Sequence, residues 1–137
     1  MFLIRVPHSS GMLEGNIHGG YSFSHRMITA HHRPRSWLLN GVKKVEQLRF
    51  LERGGERTLG QAAILWLLAD DRVASVLPNI YDSAQLREFV EASDKPRLSS
   101  GGSGARLPSL VAVNFGLEPE EPKFKGTMDP PEELVTA

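Results

Sequence analysis

The 137 residues leave room for one modest domain, and 40% hydrophobic with 23% charged residues is an ordinary balance for a folded chain. Sixteen Lys and Arg offset sixteen Asp and Glu, so net charge supplies no pull toward nucleic acid or an anionic membrane. The lack of cysteine excludes disulfides, thiolate metal sites, iron–sulfur clusters and cysteine nucleophiles.

In chain order, Phe2 to Val6 is a short apolar run stopped by Pro7, which suits a buried strand. It is too short for a signal-peptide core, and no stretch approaches membrane-span length, so a cytoplasmic location is expected. His8 to Arg35 is rich in Gly, Ser and His and reads as a long loop. Ser36 is placed to cap a helix over Trp37 to Leu51, whose Leu38, Val42, Val45, Leu48 and Leu51 recur at helical spacing, with Gly54-Gly55 as its stop. Thr58 and Gln61 have capping-box spacing at the head of a second helix. That helix, Leu59 to Ala69, is apolar on nearly every face and so calls for packing on more than one side, with Trp66 in the core.

Val73 to Leu77, closed by Pro78, is the second apolar run, of the kind found in parallel strands covered by helices. Asp82 and Gln85 repeat the capping-box spacing before a helix whose stripe is Leu86, Phe89 and Val90. Strand, loop, helix, helix, strand, turn, helix is an α/β crossover order, with a parallel sheet. Ser99 to Gly104 has linker composition, Leu107 to Leu117 is apolar enough to dock back as a short helix or arm, and Glu118 to Glu133 predicts a disordered C-terminal tail. The expected domain therefore runs over 1–96, with linker and tail over 97–137. Two strands cannot hide the apolar surface of the 59–69 helix, so burial predicts a piece of a larger α/β structure or a chain that pairs.

Pro7-His-Ser-Ser-Gly-Met-Leu-Glu-Gly15, Thr58-Leu-Gly-Gln-Ala-Ala-Ile-Leu-Trp66, Val73-Ala-Ser-Val-Leu-Pro78 and Asp82 to Phe89 occur in the order and spacing of four stretches of the aldo/keto reductases. They resemble the turn after the seventh barrel strand, the seventh helix, the eighth strand and the start of the eighth helix. The resemblance covers roughly Phe2 to Ala92. It implies part of a (β/α)8 TIM barrel, a fragment with two parallel strands and covering helices, and an oxidoreductase family that reduces carbonyls with NADPH or NADH. It places none of the family's catalytic Asp, Tyr, Lys and His within this chain, so no catalytic residue is assigned and the chain alone is expected to be inactive. Tyr21 and Tyr81 lie on the wrong elements.

What the resemblance carries over is the cofactor-phosphate end, which barrels commonly build from the loops after the last two strands and a helix N-terminus. His8, Ser9, Ser10 and Gly11 on one loop, with Asn79, Ser83 and Arg87 on the other, are the candidate cofactor-binding residues. Asn79 stands where the family often has Gly, Asp82 brings a carboxylate, and Arg87 is the only nearby cation, which leaves NADP against NAD open. Glu88 is followed by Phe89, so the family's Glu–Asn pair is unmatched.

Two other readings stay beside this one. The chain can be a non-catalytic interaction module pairing through the 59–69 helix, with a second copy or a missing barrel portion as partner. The cluster of His25, His31 and His32 with Arg26, Arg33 and Arg35 lacks converging metal ligands and an aromatic platform, so neither metal nor nucleic acid is expected there. Ser9-Ser10-Gly11 lacks the Gly-x-Ser-x-Gly frame of a nucleophile elbow.

Overall fold

The structure is a computed structural model that describes residues 1–15, 35–98 and 103–118. The His25, His31 and His32 cluster and the tail beyond Glu118 lie outside the described residues. Among the described residues the architecture is mixed α/β, with two strands and four α-helices. No helix among them is long and apolar enough to cross a membrane.

Strand β1, Phe2–Arg5, pairs in parallel with β2, Val73–Leu77. The register sets Ile4 against Val76 and Arg5 against Leu77, with an irregularity between Phe2 and Leu3. Parallel pairing sends both chain exits, Pro7 and Pro78, to the same end of the sheet. The turn before β2 is clipped by Asp70, which accepts from the Arg72 guanidinium at 2.6 and 2.9 Å; these bonds hold its carboxyl down at about 2.

Helix α1, Arg35–Leu48, begins one residue before the expected cap, so Ser36 lies inside its first turn. A 3-10 segment, Arg49–Gly55, continues it and reverses the chain through left-handed φ at Arg53, Gly54 and Gly55. The two glycines sit where a side chain would be strained, which is why the helical pattern ends there. Helix α2, Leu59–Leu68, starts on a complete capping box: the Thr58 hydroxyl accepts from the Gln61 N–H and the Gln61 side chain accepts from the Thr58 N–H, each at 3.1 Å. Thr58→Ala should lower stability by about 1 kcal/mol, read as a lower denaturation midpoint at unchanged slope.

Helix α3, Ser83–Val90, is capped by Asp82, which accepts from the Gln85 N–H at 2.8 Å. The Gln85 side chain reaches past the cap to the Tyr81 N–H at 3.0 Å instead of completing a second box. Helix α4, Ser103–Ala112, starts inside the stretch expected to be linker. It docks where Arg106 stacks over the Phe50 ring at 4.5 Å, and beyond it the Phe115 carbonyl accepts from Gln47 at 2.8 Å. Leu107 to Leu117 therefore folds back onto α1, as its apolar content allows.

Two buried clusters flank α2. One joins Met12, Leu38, Val45, Leu51, Leu59 and Ala62, with Trp37, Val42 and Leu48 packed around them. The other joins Ile64, Phe89 and Ala92, with Val76 against them. Helix α2 is thus packed on two sides, as its all-round apolarity demands, but its third side is open. Trp66, expected in the core, is 55% exposed, because neither cluster reaches that face. Phe2 and Leu3, expected as buried strand residues, are each 60% exposed, since a two-stranded sheet offers nothing to cover them.

Candidate functional site

The end of the sheet from which Pro7 and Pro78 leave is also where α2 and α3 begin, as the crossover order requires. The turn after β1 is wound tightly there, with left-handed φ at three successive residues, Ser9, Ser10 and Gly11. Main-chain bonds hold it closed: Met12 N–H to Ser9 O, Leu13 N–H to His8 O, and Glu14 N–H to Gly11 O. Among the described residues no main-chain carbonyl takes the N–H of Ser10 or Gly11. Ser9 is exposed, whereas Ser10 and Gly11 are buried. Left-handed φ at two serines costs of order 1 kcal/mol each, a strain that the surrounding packing must offset.

His8 is the residue that ties this turn to the helices. It is only 2% exposed, its ring lies 4.5 Å from the Phe89 ring, and its Nε2 lies 3.1 Å from the Gly60 carbonyl. Gly60 suits this crowded spot, since a Cβ there would stand 3.2 Å from both Glu88 Oε1 and Phe89 Cε1. On the ring's other side, Nδ1 has no hydrogen-bond partner among the described residues and faces Glu14 Oε1 at 3.7 Å. Glu14 in turn accepts from Gln85 Nε2 at 2.8 Å. Burial pushes His8 below its ordinary pKa, against the Gly60 bond and the Glu88 charge. Burial also pushes Glu14 up; the Gln85 bond opposes this and the Glu88 charge adds to it. Both effects favour uncharged forms.

The two loops expected to frame one site are therefore linked, by the Glu14–Gln85 bond. The remaining candidates are less convergent. Among the described residues no hydrogen bond engages the side chain of Asn79 or Ser83, and Ser83 is exposed on the first turn of α3. Arg87 lines an open groove of ≈ 620 Å³ together with Thr58, Gln61, Glu88 and Lys95, and no residue of the 7–15 turn lines that groove. Arg57 also borders it. Its buried guanidinium donates to the Pro96 carbonyl at 2.6 Å while Nε and Nη2 have no partner among the described residues, and burial pulls its pKa below the usual arginine range, Arg53 adding to the effect.

Glu14 and Gln85 went unmarked as site residues on sequence grounds. Glu14 lies within the Gly11–Gly15 motif and Gln85 at the capping position, but nothing local shows that residues 71 positions apart meet. Among the described residues no group of three or more His, Asp or Glu is placed to hold a metal. Comparisons with protein-family models, with curated proteins and with solved structures found no match in any of the three.

Proposed function

We propose that this chain is the phosphate-holding end of a (β/α)8 barrel of the aldo/keto reductase type, and that it contributes cofactor contacts to a carbonyl reductase whose catalytic groups lie outside it. The observation that carries the reading is the pair of parallel strand exits at Pro7 and Pro78, with their loops bonded through Glu14 and Gln85. The N–H groups of buried Ser10 and Gly11, which no main-chain carbonyl takes among the described residues, are donors suited to a phosphate oxygen. His8, Ser9, Asn79 and Ser83 border the same end of the sheet.

The charges around this end favour a dinucleotide without a 2′-phosphate. Asp82 places a carboxylate on the α3 cap, and Arg87 lies on a separate groove. NADH should therefore bind better than NADPH, and neither should be turned over by this chain alone, because hydride transfer needs an acid placed against the carbonyl. Titrating the full chain into each nucleotide while following nicotinamide fluorescence tests this. An equal or stronger response to NADPH would remove the discrimination argument, and no response to either at millimolar concentration would remove the cofactor role.

A second reading is favoured by one specific observation. Trp66 and Leu68 on α2 and Phe2, Leu3 and Leu77 on the strands are exposed, and further exposed apolar side chains lie on α3 and α4. In that reading the chain pairs through α2 and binds no nucleotide. Light scattering behind size exclusion at two concentrations separates the two, since a monodisperse monomer at both counts against pairing.

A further inference from the structure

The contacts of His8 leave a proton unaccounted for. The Gly60 carbonyl can only accept, so the 3.1 Å contact is a hydrogen bond only if Nε2 carries a hydrogen. In the neutral ring Nδ1 is then a bare acceptor. It is buried, has no hydrogen-bond partner among the described residues, and looks at Glu14 Oε1 at 3.7 Å. An ionised Glu14 is acceptor-only as well, and its other oxygen is already taken by Gln85. Two acceptors facing each other away from water repel, and one added proton turns that repulsion into a hydrogen bond.

We propose that His8 and Glu14 share one proton in the folded chain and so form a pH-set latch that holds the Pro7–Gly15 turn against α2 and α3. The other groups facing the pair are consistent with retaining a proton there. From α3 come the Glu88 carboxylate, neutral Gln85 and the Phe89 ring. From the head of α2 come the Gly60 carbonyl and uncharged Thr58 and Gln61, the latter two bonded to Glu88. Asp82 stands behind Gln85. No Lys or Arg contacts His8 or Glu14 among the described residues. The inference does not depend on the cofactor reading.

The sign of the pH dependence follows from counting protons. Unfolded, the glutamate titrates near about 4.3 and the histidine near about 6.5. Between these values both states of the chain hold one proton, and stability is flat. Above about 6.5 the unfolded chain holds none while the folded pair keeps one, so stability falls as pH rises until the pair releases its proton. Below about 4.3 the unfolded chain holds two and the folded pair one, so stability falls as pH drops. The release pH belongs to the pair and not to either residue.

The test is thermal unfolding of the full chain from about pH 2 to about pH 9, with Glu14→Gln and His8→Gln beside the parent. A glutamine at 14 imitates the protonated acid: its N–H can donate to Nδ1 while its oxygen still accepts from Gln85. Glu14→Gln should fold and lose the alkaline fall in midpoint, with its acid fall beginning already near about 6.5, and His8→Gln should lose the acid fall. If His8→Gln does not fold, side-chain NMR of the parent decides. A Glu14 carboxyl protonated at about pH 6, beside a neutral His8 with hydrogen on Nε2, supports the latch. A neutral imidazole against an ionised Glu14 at that pH, which leaves the pair without a proton, or an unchanged alkaline fall in Glu14→Gln, overturns it.

Discussion

Leu38→Ala should lower the unfolding free energy by about 2–5 kcal/mol, a large share of the stability of a chain this size. Leu38 is 2% exposed at the centre of the cluster that joins α1 to Leu59 and Ala62 of α2 and to Met12 of the turn. Removing three carbons there opens a cavity that three different elements must collapse into, and the left-handed turn around Met12 has little freedom to follow. Urea unfolding should show a lower midpoint at unchanged slope. A loss below about 1 kcal/mol would mean that this cluster does not hold the helices together.

Phe89→Ala should cost about 3–5 kcal/mol and have a second effect that a simple cavity lacks. The Phe89 ring covers His8 and closes the second cluster over Ile64 and Ala92. Its removal admits water beside the imidazole and relieves the burial that holds the His8 pKa down, so His8 should titrate closer to its ordinary value. Denaturation gives the stability, and the imidazole NMR shift against pH gives the titration. Phe89→Leu, which keeps most of the volume, should cost less than about 1.5 kcal/mol and leave His8 largely shielded. Equal His8 titration in the parent and Phe89→Ala would mean that the ring does not control the site.

What the sequence made legible was what local chemistry decides. The ends of β2 follow from Val73 to Leu77 being apolar and Pro78 being unable to continue a strand. The cap of α2 follows from Thr58 and Gln61 three residues apart, and the α1 stripe from the spacing of Leu38, Val42 and Val45. Missed features depended on distant partners. Trp66 has the same local setting as Ile64, and only the placement of the two clusters decides that Ile64 is buried and Trp66 wet. Helix α4 opens with residues of linker composition; it is held by Phe50 of the 3-10 segment, and the Phe115 carbonyl beyond it by Gln47 of α1. At the candidate site, His8 was visible as a residue at a strand exit. Its partners Gly60, Glu14 and Gln85 come together only because the strands are parallel and adjacent.

The uneven burial of the two tryptophans gives the molecule two optical reporters with different surroundings. Trp37 is packed beside the first cluster, so its emission should be blue-shifted and poorly quenched by acrylamide. Trp66 lies on the open side of α2, so its emission should resemble indole in water and change when another surface covers that helix. Loss of the α1 contacts and occupation of the α2 face would then be readable as separate signals from the unlabelled chain.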